Sequence, residues 1–312
     1  MATNASGSTT STTAALTVTT TSNPGYLINI SARADVGTGN NILVGGFGVA
    51  GTGTKQLLIR AVGTGLNDTF GLQGTLSIPQ LTLLDNSRVV VGTNEIWGNA
   101  PVAGPSTASE SPVAASATIM AAVGAFALLH EGFDGNSAMV LTMPPGNNTA
   151  QVIGLGDIGG YVSTSGIALC EVYDADAGPP AARLVNISAR ANVGTGNNIL
   201  VGGFAIGGST AETVLIRAVG PGLTDEFGLT GTLAQPVLTL INNSGTTIYS
   251  NTVWGGDATI AAIFPIVGAF NLNPAHADSV LLVTLPPGNY TAQVTGVSGG
   301  TGIALCEIYE VN

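Results

Sequence analysis

The residues of this chain that could do chemistry are few: two histidines, two cysteines, and one serine in a G-x-S-x-G setting. That serine is Ser298, in Gly296-Val297-Ser298-Gly299-Gly300. In serine hydrolases the pattern works because a strained strand-to-helix elbow lifts the serine above a sheet, with acid and histidine elsewhere. No histidine follows Ser298, and the next stretch, GIALCEIY, has the composition of a strand. A hairpin loop is therefore expected. His130 and His276 each lie near an aspartate, Asp134 and Asp278, which raises a His/Asp or metal site. Neither has a second His or Cys at ligand spacing, so exposed loop histidines are expected. Gly37-Thr38-Gly39-Asn40-Asn41 has the look of a phosphate cradle, but a cradle needs a following helix N-terminus and usually a lysine. Ile42-Leu43-Val44 follows instead, so this is a turn. Asp174 and Asp176 form a carboxylate pair that could hold calcium.

The same chemistry, tested for repetition, becomes more informative. Asn29–Phe47, NISARADVGTGNNILVGGF, returns as Asn186–Phe204 with Asp35→Asn192 the only change. The chain is one module written twice. Cys170 and Cys306 occupy matching positions in GIALCEVY and GIALCEIY. Equivalent positions in tandem units lie a domain width apart, too far for a disulfide. Neither cysteine has a basic neighbour in sequence to activate it. Both are expected as small buried hydrophobes. The charged residues that recur are Arg33/Arg190, Arg60/Arg217, Asp68/Asp225 and Glu171/Glu307. Arg60 and Glu171 fall within apolar strands, so the pairs Arg60–Glu171 and Arg217–Glu307 are expected, or each arginine with Asp68 or Asp225. A buried pair survives duplication without any catalytic role, because removing one partner costs about 3–5 kcal/mol. Trp97 and Trp254 also match. Exposed rings would suit sugar stacking, buried rings an edge-packing role. No catalytic, cofactor-binding or metal-binding residue is assigned, no cofactor is implied, and an enzyme is not expected.

Composition removes whole classes of partner. Charged residues are 8% of the 312, against about 25% in ordinary globular chains. Lys55 is the sole lysine, there are six arginines, and the net charge is -11. Nucleic acid needs clustered cations to neutralise phosphate, so none is expected as a partner. The chain is 45% hydrophobic, which argues against disorder. Its wet faces must be built from Thr, Ser, Asn and Gly, a surface typical of secreted proteins. The most apolar run, Val113–Leu129, is shorter than the ~20 residues of a membrane span. It reads as a short helix with buried flanks. The N-terminal MATNASGSTTSTT lacks the basic start and apolar core of a signal peptide. An extracellular or cell-surface location is nonetheless expected.

These residues must be positioned by strands. Ile28, Ile30, Ala32, Ala34 and Val36 alternate with polar residues, the period of a half-buried strand. Further strands are expected at Ile42–Phe47, Gln56–Val62, Gln80–Asp85, Arg88–Thr93, Ser137–Thr142, Thr149–Gly154 and Gly166–Tyr173, with one helix around Thr118–Val123. Eight short strands per copy with Gly, Pro and Asn turns predict an all-β chain of two tandem antiparallel β-sandwich, jelly-roll-like domains with an N-terminal extra strand. The domain bounds are 1–25 (an N-terminal strand segment), 26–176 (repeat one), 177–182 (linker) and 183–312 (repeat two). Trp97 and Trp254 stand 157 residues apart but Cys170 and Cys306 only 136, so repeat one carries extra loop residues. Most lie between Gly98 and Gly124.

The closing stretch LPPGNYTAQVTGVSGGTGIALCEIY, Leu285–Tyr309, resembles the end of the pre-peptidase C-terminal family of bacterial secreted β-sandwiches. The whole repeat is similar to uncharacterised repeats of large extracellular bacterial proteins. ATNASGSTTSTTAALTV at the N-terminus resembles the last hairpin of a bacterial immunoglobulin-like domain. These resemblances imply a secreted modular role and bring no activity with them. The expected function is thus a non-catalytic structural or adhesive protein. It would pair with itself or with neighbouring domains through a strand over Thr12–Thr20 carrying Leu16 and Val18, by the strand donation that builds filaments. The alternative is a polysaccharide- or ligand-binding accessory module of a secreted enzyme.

Overall fold

The computed structural model describes residues 2–4, 7–9, 23–129, 135–156, 163–176 and 181–311. Strands β1 (Ala2–Asn4) and β2 (Gly7–Thr9) form a small antiparallel hairpin. Repeat one follows as β3 (Tyr26–Val36), β4 (Leu43–Gly51), β5 (Lys55–Val62), α1 (Thr64–Phe70), β6 (Pro79–Leu84), β7 (Val90–Asn94), β8 (Val102–Ala103), β9 (Val113–Ala114), α2 (Ala117–Ala122), β10 (Asn136–Met143), β11 (Gly146–Gly154) and β12 (Gly166–Asp174). Repeat two has β13 (Ala182–Val193), β14 (Leu200–Gly207), β15 (Glu212–Val219), α3 (Pro221–Phe227), β16 (Pro236–Asn242), β17 (Thr247–Asn251), α4 (Ala258–Val267), β18 (Ser279–Leu285), β19 (Gly288–Gly296) and β20 (Gly302–Glu310). The chain is all-β, and every strand expected in repeat one from Tyr26 onward is present.

Within each repeat the pairing is that of a jelly roll. One layer runs β10-β5-β12-β3 and the facing layer β4-β11-β6-β7. Repeat two copies this as β18-β15-β20-β13 facing β14-β19-β16-β17. The repeats do not stand side by side as self-contained sandwiches, however. β3 of repeat one pairs antiparallel with β14 of repeat two, and β4 pairs antiparallel with β13. Each four-stranded layer of one repeat is thereby continued by a layer of the other. A short parallel contact, Leu27 opposite Leu184 and Asp35 opposite Asn192, joins the two layers at the centre. All the strands from β3 to β20 belong to one curled sheet, and the buried side chains between the layers form one core drawn from both repeats.

The physical reason lies in the edges. The first two strands of each repeat end their layers, so each would present unpaired N–H and C=O groups to water. Their sequences suit a close junction. Ala32, Ala34, Ala189 and Ala191 face inward with almost no exposure, and small side chains let the layers approach. The paired glycines of LVGGF have separate tasks. A Cβ on Gly45 would stand 3.5 Å from Cys170 Sγ inside repeat one, whereas one on Gly46 would meet Ser188 Oγ of repeat two at 2.5 Å. Gly203 stands in the same way against Ser31. The stretch that repeats most faithfully is the stretch with which the copies hold each other.

The linker expected at 177–182 overlaps residues 177–180, outside the described set, and Ala182 already opens β13. The strand expected at Thr12–Thr20, with Leu16 and Val18, also lies outside the described residues. The expected helix appears as α2, with Ser116 accepting from the Ile119 N–H at its N-terminus. Its counterpart α4 is longer, carries Pro265 inside, and is capped by Asp257. No helix among the described residues is long and apolar enough to cross a membrane.

Candidate functional site

The recurring charges are buried on the outer face of one layer in each repeat. Arg60 on β5 points away from the inter-layer core and lies beneath the segment that includes α2. Its Nε donates to Glu171 Oε2 at 2.8 Å, and Nη1 donates to the Phe126 carbonyl at 2.7 Å. Tyr173 Oη donates to the other carboxylate oxygen of Glu171 at 2.7 Å. The Phe126 ring covers the guanidinium, 4.4 Å from centroid to Cζ. Repeat two builds the same group: Arg217 Nε to Glu307 Oε2 at 2.7 Å, Nη1 to the Phe270 carbonyl at 2.6 Å, and Tyr309 Oη to Glu307 at 2.7 Å. Arg60 and Arg217 are fully buried. Of the partners expected from sequence, the glutamates are the ones present. With its carboxylate oxygens engaged by arginine and tyrosine, neither glutamate is arranged as a proton-transfer group. Burial, then the neighbouring glutamate charge, pushes both tyrosine hydroxyls well above their ordinary range.

The other flagged residues are held apart. Burial and the adjacent glutamate push the Cys170 and Cys306 thiols up to about 12, the opposite of an activated nucleophile. Both are free thiols. Ser298 lies in the Val297–Gly299 turn between β19 and β20 with φ of 54°, and a strand follows it. Gly39–Asn41 is a single 3-10 turn leading into β4. His130 and Asp134 lie outside the described residues. His276 is half-buried and reaches Asp225 at 2.7 Å, so Asp225 pairs with histidine rather than with Arg217. Trp97 and Trp254 are buried, their indole N–H groups donating to the Leu129 and Asn273 carbonyls. Neither ring is open for stacking on a sugar.

The carboxylate pair considered for calcium already holds a cation. Lys55 Nζ lies 2.7 Å from Asp174 and 2.8 Å from Asp176, and the lysine is fully buried. Repeat two reverses the charge at that position: Glu212 matches Lys55, Glu310 matches Asp174, and Arg183 lies 3.1 Å from Glu310. Burial raises Glu212 above the usual carboxylate range, with Arg183 and a backbone bond from Thr213 acting against it. The only lysine of the chain was the available signal, since its counterpart is acidic. Among the described residues no cluster of three or more His, Cys, Asp or Glu is placed to hold a metal.

One cleft lies at the joint between repeats, with a volume of about 510 Å³. Its lining includes Asn147, Asn148 and Thr149 of β11, Asn186 and Ser188 of β13, and Ile266 near the end of α4. A difference between copies helps to open it. Tyr290 of repeat two stacks on Phe204 at 5.3 Å, whereas its counterpart beside Phe47 is the smaller Asn148. The cleft presents amides and hydroxyls together with apolar side chains such as Phe47 and Val185, and Glu310 is the charged residue in its lining.

No family model matches the chain, and no curated protein matches it. Among solved structures, the crystal structure of the STIV MCP shares 9% identity at a TM-score of 0.21, covering 92% of this chain and 96% of that one. A DUF4785 family protein from Legionella pneumophila shares 9% identity at 0.22, covering 93% and 84%. Likenesses this slight carry no argument about what the chain does.

Proposed function

We propose that the chain is a non-catalytic structural or adhesive unit of an extracellular assembly, joined to its neighbours through sheet edges. The observation that supports this most is the reciprocal joint. The longest near-identical stretch of the two copies supplies the strands that pair across it, and the recurring Arg–Glu groups brace the layers from outside. The sparsely charged outward faces, mostly Asn, Ser, Thr and Gln along β3, β11, β13 and β19 with Arg33, Asp35, Arg183 and Arg190 among them, suit a secreted surface. The test is fractionation of the native cells with an antibody to this chain. Recovery in the surface or extracellular fraction, as part of a complex larger than the chain, is the expected outcome. A cytosolic, unassembled chain overturns the proposal.

The cleft favours a second reading, a polysaccharide-binding module, because its amides and hydroxyls match sugar hydroxyls. Screening the chain against a glycan array tests it. Binding that Asn147→Ala and Asn186→Ala abolish would put this reading first.

A further inference from the structure

Deepening the assembly reading above, and resting on it, we propose that the outer end of repeat two docks a second copy of the chain about a two-fold axis. β17 of each copy pairs with β18 of the other.

The two outer ends of the molecule are built from equivalent strands and finished differently. In repeat one the extra residues after Gly98 supply β8 and β9. β8 pairs antiparallel with β7 through Thr93↔Val102, and β9 with β10 through Val140↔Val113. Each outer edge of repeat one is thus covered by a short strand over two residue pairs. In repeat two β17 pairs only with β16, and β18 only with β15, among the described residues. The side chains at this end are as apolar as those that repeat one covers. Leu281 and Leu282 are half-buried where Met139 and Val140 are 0% and 6% exposed. Ile248 is half-buried where Val91 is buried, and Tyr249 is 46% exposed where Gly92 is buried.

The backbone at this edge is equally ready. Val280 N–H donates away from β15 to Asn251 Oδ1 at 3.2 Å. By the alternation of an antiparallel ladder, the N–H and C=O groups of Leu282 and Thr284 face the same way. Natural edges are usually protected by lysine, other charges or proline. Thr247–Asn251 and Ser279–Leu285 contain none of these. Repeat one shows that each equivalent edge accepts an antiparallel strand.

A second copy is the occupant because the molecule already joins sandwiches in this way. At the inner joint two consecutive strands of one repeat, on facing layers, pair with the same two strands of the other in exchanged order. β17 and β18 are likewise consecutive strands on facing layers, so a two-fold partner offers β18 to β17 and β17 to β18. A two-fold contact uses both bare edges of each chain, so the assembly closes at two chains.

The test is sedimentation equilibrium of the full chain from low micromolar to hundreds of micromolar. The expected species has twice the 30.9 kDa chain mass. Thr284→Pro, which removes an outward N–H, should weaken the dimer by about tenfold or more. Its circular dichroism and melting temperature serve as the folding control. Should that variant fail to fold, grafting residues 98–116 between Trp254 and α4 covers the edges without touching either strand, and should give a monomer. A wild-type monomer throughout the range overturns the proposal, as does a dimer indifferent to the folded variants. A monomer that dimerises only after deletion of residues 1–22 also overturns it, assigning the edge to the chain's own N-terminal segment. None of these results bears on recovery in the surface fraction.

Discussion

Repeat one and repeat two are built to one plan, and their differences are confined to particular places. The Arg–Glu–Tyr groups agree within about 0.1 Å in their principal bonds, and the same two strands of each repeat meet across the joint, over seven residue pairs with a bulge on one side and over three on the other. What varies is the outer edge, covered in one copy and bare in the other, the cation beside the last strand, the residue that bonds the start of the first helix, and the residue beside Phe47 or Phe204, Asn148 in one copy and Tyr290 in the other. Interior electrostatics and the exchange of strands at the joint are fixed by mutual fit, because a change in either copy must suit groups already in place. Outer ends answer only to solvent or to a partner, and they are free to diverge.

The largest expected effect tests the fixed part. Arg60→Met and Arg217→Met each strand a buried glutamate and should each cost about 3–5 kcal/mol. Because the repeats share one core, either substitution should lower a single unfolding transition by a similar amount, as urea melts would show. Two separated transitions would mean that the repeats are energetically independent despite their pairing. Next in size, Gly46→Val and Gly203→Val force a side chain against a serine of the opposite repeat. Each should cost about 1–3 kcal/mol, again equally on the two sides of the joint. An unequal pair would show that the two junctions differ in strength.

The smallest effect concerns the variable part. Asn136 Oδ1 accepts from Gly63 and Gly65 at 3.0 and 3.1 Å while its Nδ2 donates to Thr64. In repeat two Asp278 accepts from Gly220 and Gly222, and Pro221 replaces the threonine, so an amide there would lack its acceptor. Burial raises Asp278 above its ordinary value, outweighing the two backbone N–H groups and the nearby His276 and Arg217 charges. An acid whose folded value exceeds its unfolded value contributes most below the unfolded value. That stability is lost as pH rises towards the folded value. The wild type should therefore lose stability over that window, and Pro221→Thr with Asp278→Asn should flatten the curve. Melting temperature against pH reads it directly.

Much of this was legible in the chain. Alternation in NISARADV marked β3, and the GIALCE segments marked strands carrying a buried thiol and carboxylate, since charges that recur among apolar neighbours must be paired. The trade of partners at the joint was not legible. A repeat that pairs with itself and one that pairs with its twin have the same hydrophobic pattern, because alternation specifies which face is buried and says nothing of which strand lies alongside. The double glycine of LVGGF was the one local signal, as a second glycine in a strand marks close backbone approach. Helices α1 and α3 escaped for a different reason. Each is 7 residues long and set between glycines, too short for a helical period to show. The Lys55 contacts depend on tertiary proximity across more than a hundred residues.

Reciprocal pairing also has a consequence for how the chain comes into being. A ribosome delivers repeat one first, and until repeat two emerges β3 and β4 have no β14 or β13 to meet. On crowded polysomes the nearest complementary strands belong to other nascent chains, whose near-identical segments fit equally well. Slow translation through the second half would thus raise the yield of entangled, domain-swapped products, and swift completion of one polypeptide would suppress them.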